Sequence, residues 1–154
     1  EAKANVEAKD NDGETALTSS AASGQLEVVR YLVENAKANT KAKTTKGSTA
    51  LMLGAKAGHL KVVQYLVEEE AKSSIEATDN DGSTALMKAA RWGHLEVVRY
   101  LAEEAKANVN AKANDGHTAL DLANDVPVIK YLTPLTGKNE KQQEEDAKTK
   151  KSQP

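Results

Sequence analysis

The chain contains no cysteine and no phenylalanine, and aromatic residues make up only 3% of its 154 positions. Without cysteine there is no disulfide framework and no thiolate chemistry, which fits a reducing compartment, so a cytoplasmic location is expected. With so few rings, any core must be aliphatic. Surplus charge is missing as well: 21 Lys and Arg against 23 Asp and Glu leave a net charge of -2. That balance lacks the basic excess that attracts nucleic acid or acidic membranes, and neither is expected as a partner. No apolar run approaches the roughly 20 residues that span a bilayer, and the N-terminus carries no signal-type apolar stretch. A soluble, single-domain protein is expected, and a compact chain of this length would bury roughly 70% of its unfolded surface.

What the chain has is self-similarity. Gly13, Gly47, Gly82 and Gly116 are separated by 34, 35 and 34 residues, and Leu17, Leu51, Leu86 and Leu120 keep the same intervals. LEVVRYL stands at Leu26 to Leu32 and recurs unchanged at Leu95 to Leu101, with LKVVQYL between them at Leu60 to Leu66. A period in this range is the mark of a stacked repeat architecture. Each unit reads as a polar turn, a Thr, a short Ala-rich helix, a Gly, and a longer amphipathic helix. Thr15, Thr49, Thr84 and Thr118 stand where an N-cap acceptor is wanted. In the longer helix, Leu95, Val97, Val98 and Leu101 form an apolar stripe of period near 3.6, with Glu96 and Arg99 outside it. The DNDG tetrads at Asp10 to Gly13 and Asp79 to Gly82 predict β-turn tips, because Asn, Asp and Gly tolerate positive φ.

In TALMKAARWGHLEVVRYL, Thr84 to Leu101, the chain resembles the ankyrin-repeat family, with its Thr-Pro-Leu-His, Ala-Ala, Gly-His-Leu and Val-Val signature. The resemblance covers residues 1 to about 133. It implies an all-α solenoid of stacked helix-turn-helix units with β-turn or hairpin tips, a concave groove formed by tips and first helices, and protein binding as the usual function. Repeats start near residues 10, 44, 79 and 113. Residues 1–12 match the tail of a repeat and read as a remnant or an abbreviated N-terminal cap. Residues 13–133 form the repeat domain, and residues 134–154 a charged C-terminal tail, part of which is expected to form a solvated helix.

Several positions depart from the family pattern. Ala16, Ala50, Ala85 and Ala119 replace the family's Pro, which removes some preorganisation of the helix start. Thr18, Met52, Met87 and Asp121 replace its His, so the hydrogen bond that His makes toward the tip is expected to be absent. Ala36-Lys37-Ala38-Asn39 and Ala105-Lys106-Ala107-Asn108 lack the usual capping Gly. Ala and Lys are good helix formers, so the second helices are expected to run longer than the family norm. Leu120 to Tyr131 spans 11 residues against 14 in the other three units, an atypical terminal repeat.

Catalytic and metal-binding signatures are missing. An EF-hand register on Gly82 would put Ala77 first and Lys88 twelfth, and neither ligates calcium. There is no Walker-type loop, no His-Glu-x-x-His and no Gly-x-Ser-x-Gly elbow, so no enzyme, cofactor or metal site is expected. His59 and His94 hold corresponding places before the second helices and read as turn-packing residues, since a zinc site needs several convergent ligands. Glu68, Glu69 and Glu70 align with Glu103 and Glu104 as an acidic ridge. Lys37, Lys72 and Lys106 follow at matching intervals, and the set reads as a solvated, self-compensating ladder.

A stack must repeat its core but is free to vary its exposed face. The variation falls on the tips and first helices: Thr45, Lys46, Asn80, Asp81, Ser83 and His117 at tips, and Met52, Lys56, Met87, Lys88, Arg91 and Trp92 on helices. These are the candidate partner-binding residues. Trp and Arg are the types most enriched at interface hot spots. For Met52 and Met87, packing in the seam between repeats is the plainer reading. A monomer that binds another protein is expected. The alternatives are an engineered or excised array with a structural role and no partner, and an array that self-associates through its terminal faces.

Overall fold

The computed structural model describes residues 3–70 and 72–137. The repeats fold as helix pairs: α1 (Ala16–Ala22) with α2 (Leu26–Glu34), α3 (Ala50–Ala57) with α4 (Leu60–Glu69), α6 (Ala85–Arg91) with α7 (Leu95–Glu103), and α8 (Ala119–Leu122) with α9 (Val126–Leu135). A single extra turn, α5 (Lys72–Ile75), follows α4. The inner helices α1, α3, α6 and α8 pack side by side in one layer, and the outer helices α2, α4, α7 and α9 in a second. The fold is the expected all-helical solenoid. No helix among the described residues is long and apolar enough to cross a membrane.

Each inner helix starts at its Thr. The hydroxyls of Thr15, Thr49, Thr84 and Thr118 each accept the N–H three residues on, at 3.3 Å. The missing family His has a substitute at two places. Thr18 Oγ1 accepts the Thr15 N–H at 2.8 Å, and Asp121 Oδ2 accepts the Thr118 N–H at 2.9 Å, so both complete a capping box. At the other two, Met52 and Met87 are buried. The core runs through both layers as an aliphatic strip that includes Leu17, Leu51, Leu66, Leu86, Leu101 and Leu132.

The second helices are not lengthened. α2 ends at Glu34 and α7 at Glu103. Lys37 and Lys106 then turn left-handed, at φ 55° and 59°, standing in for the expected glycine. The turn lets the Ala36 and Ala38 N–H groups close on the Tyr31 and Leu32 carbonyls, and Ala105 and Ala107 on Tyr100 and Leu101. It also buries Ala38 and Ala105. Carbonyl capping and this burial outweigh the helix propensity of Ala and Lys. The middle repeat differs, spending its extra residue on α5.

A left-handed L-residue costs about 1–2 kcal/mol, of which the greater unfolded-state freedom of Gly takes back about 0.5–1. Lys37→Gly and Lys106→Gly should therefore each stabilise the protein by roughly 0.5–1 kcal/mol in urea denaturation. Destabilisation would contradict the assigned turn.

Pro134 and Leu135 belong to α9, so the repeat structure continues past residue 133. The rest of the expected tail, residues 138–154, lies outside the described residues, as do residues 1–2.

Candidate functional site

The four tips are built alike, each closing with a backbone hydrogen bond from its Gly N–H: Gly13 to Asp10, Gly47 to Thr44, Gly82 to Asp79 and Gly116 to Ala113. Neighbouring tips are then tied in series. The Thr45 N–H donates to the Asp12 carbonyl at 2.9 Å, Asn80 to Lys46 at 3.1 Å and Asn114 to Asp81 at 2.9 Å. Side chains reinforce the same ladder. Asn80 Nδ2 donates to the Thr45 carbonyl at 2.9 Å, Asn114 Nδ2 to Asn80 at 3.0 Å, and Thr45 Oγ1 to Asp12 at 2.9 Å. Thr45 and Asn80 thus hold the tip row in register, while Lys46 and Asp81 stand on it as side chains open to solvent.

Between this row and the inner helices runs a groove of about 520 Å³, lined in part by Glu14, Lys46, Leu53, Lys56, Asp81 and Lys88. Lys88 forms an ion pair with Asp79, whose Oδ1 also accepts the Asp81 and Ser83 N–H groups. Burial pushes the Asp79 carboxyl up, but the Lys88 ammonium and the two N–H donors outweigh it, and its pKa lies below the ordinary value. Lys88 is therefore largely neutralised by its own tip.

A second hollow of about 190 Å³ opens beside Trp92 and is lined in part by Lys56, Asp81, Ser83, Met87 and Arg91. Trp92 is 57% exposed, with the Lys56 ammonium 5.3 Å from its ring centroid, a cation–π geometry. Met52 and Met87 are 1% and 2% exposed and act as seam residues, although Met87 edges this hollow. His117 stands apart, its Nδ1 2.9 Å from Asp115 Oδ2 at the last tip.

The structure thus gathers Thr45, Lys46, Lys56, Asn80, Asp81, Ser83, Met87, Lys88, Arg91 and Trp92 around two adjoining hollows. Glu14, Leu53, Asp79 and Leu122 also line them and were not singled out from the sequence. Asp79 carried a usable signal, since it opens a tip nine residues before Lys88, and folding the tip back over α6 closes that interval.

His59 and His94 pin repeats together. His59 Nε2 donates to the Ala22 carbonyl at 3.1 Å, and His94 Nε2 to the Lys56 carbonyl at 2.8 Å. Among the described residues no group of three His, Cys, Asp or Glu side chains converges.

Glu70 departs from the solvated ladder expected of its run. It turns into a cavity of about 210 Å³ lined in part by Thr40, Lys41, Thr49 and Ser74, where its Oε1 and Ser74 Oγ are buried without a well-placed hydrogen-bond partner. Burial pushes its carboxyl up to about 7, against the weaker opposing pull of nearby Ser74, Thr40 and Lys41.

A family model described as Ankyrin repeats (3 copies) matches residues 2–79 and 71–144. No match is found among the curated proteins.

Proposed function

Because the chain belongs to the ankyrin-repeat family, whose repeats generally serve as protein–protein interaction modules, we propose that it binds another protein through the concave surface between tips and inner helices. The observation that carries this reading is Trp92. Among the described residues it is the exposed large apolar side chain of the inner layer, where Leu51, Met52, Leu86 and Met87 are buried. A half-bare indole beside Arg91, with Lys56 over its ring, joins the two residue types that dominate interface energetics. Lys46, Lys56, Asp81 and Ser83 supply the polar surround, and Thr45 and Asn80 contribute by fixing the tips. His117 lies at the far margin. The hydrogen-bonded tip row makes the surface rigid before contact, so little ordering is needed on binding.

The test is a binding comparison. A protein captured by the intact chain should bind the double variant Arg91→Ala, Trp92→Ala more than tenfold more weakly, a loss above about 1.4 kcal/mol. Unchanged affinity would remove this surface from consideration.

A further inference from the structure

The hollow beside Trp92 has a charge of its own. Lys56, Lys88 and Arg91 line it against a single carboxylate, Asp81. Lys88 is already paired with Asp79, which leaves two cations facing that one anion. Among the described residues neither Lys56 nor Arg91 forms an ion pair, and both are exposed. The neighbouring groove leans the other way. With the Lys88–Asp79 pair set aside, it presents Asp12, Glu14 and Asp81 against Lys46 and Lys56. The whole chain carries a net charge of -2, so the positive sign at Trp92 belongs to this hollow and not to the surface at large.

Where it is not cationic, the lining is largely apolar: the indole of Trp92, buried Met87 and half-buried Leu122 of α8. The Lys56 ammonium is drawn to the indole ring, which keeps that charge at the hollow. At about 190 Å³ the space falls short of the roughly 300–1,000 Å³ that encloses a small molecule, and it suits one anchoring side chain of a larger partner. That side chain must bring a negative charge on an apolar stem. The planar guanidinium of Arg91 presents N–H donors in a fork that matches a carboxylate, and a cationic side chain there would meet two like charges.

We propose that the hollow takes a glutamate side chain from an otherwise apolar stretch of the partner, with its methylenes against the indole and Leu122 and its carboxylate on the Arg91 guanidinium beside Lys56. This inference rests on the concave-surface reading and adds to it the chemistry of the residue that fills the site. Asp81 lines both the hollow and the groove, so it repels a carboxylate from the tip side and directs it to Arg91. Lys88 contributes no free charge, because its ammonium stays with Asp79.

The probes are three acetylated, amidated peptides, Gly-Leu-Glu-Leu-Gly and its glutamine and lysine counterparts, titrated into the full chain with Trp92 emission as the readout. At low ionic strength the glutamate peptide should bind about threefold to fivefold more tightly than the glutamine peptide, the scale of a solvent-exposed ion pair, and the lysine peptide should bind more weakly than either. Added salt should narrow the gap. Arg91→Glu should invert the order and place the lysine peptide first. Arg91→Lys, which keeps the charge and loses the fork, should keep the order with a smaller ratio. Equal affinities, a preference for the lysine peptide, no Trp92 response to any of the three, or an order unchanged by Arg91→Glu would overturn the proposal. None of these results removes the concave surface as a binding face. That reading fails separately, through unchanged affinity of a captured protein for the Arg91→Ala, Trp92→Ala chain.

Discussion

Gly58→Ala should destabilise the protein by about 2–4 kcal/mol. Gly58 sits at φ 78°, where an L-residue pays about 1–2 kcal/mol. The new Cβ would also lie 2.5 Å from His94 Nδ1. The imidazole would have to move, and in moving would give up its 2.8 Å bond to the Lys56 carbonyl. Loss of a hydrogen bond and repacking of the seam each cost about 1 kcal/mol or more. Gly116→Ala is the control, since its φ is 85° but a Cβ there meets nothing within 4 Å. Denaturant titrations should place Gly58→Ala at least 1 kcal/mol below Gly116→Ala. If the two were equal, His94 would not be the pin between the second and third repeats.

The second large effect depends on pH. Glu70 titrates at about 7 in the fold, against an ordinary 4.5, because burial penalises its charge. A carboxyl whose folded pKa is raised favours the native state most below 4.5. That advantage declines as pH rises through 7, where the folded protein must hold the charge in its cavity. The whole shift would correspond to roughly 3 kcal/mol at 1.36 per unit, and partial solvent access reduces this to about 1–2. Glu70→Gln should therefore gain roughly 1–2 kcal/mol on the parent between pH 4.5 and pH 8, measured as the difference between their stabilities. The difference isolates Glu70 from the other groups that titrate in this window. A flat difference would place the carboxylate in solvent.

The four-fold repetition, the Thr caps and the packing role of His59 and His94 were legible in the sequence, because each depends on local chemistry that recurs at fixed intervals. The features that were not legible depend on where the chain goes after an element ends. Ala36-Lys37-Ala38 has the propensity to continue α2, but burial of Ala38 and capping of Leu32 decide otherwise. Glu70 resembles its two solvated neighbours until the backbone turns extended at the end of α4 and carries it inward. At the candidate site, residue type pointed to Arg91 and Trp92, and to Lys46 and Lys56. Residue type could not separate Lys88, committed to Asp79, from Lys56, or reveal that Thr45 and Asn80 line the groove while their side chains bond the tip before them.

The central claim is that the concave surface carries a rigid, open anchor at Trp92. Trp92 is the only tryptophan in the chain, so its fluorescence reports on that position alone. With more than half its surface bare, the folded protein should show red-shifted emission and acrylamide quenching approaching that in denaturant. A captured partner should shift the emission to the blue and protect it. Blue-shifted, protected emission from the free folded chain would contradict the account, because the indole would already be covered.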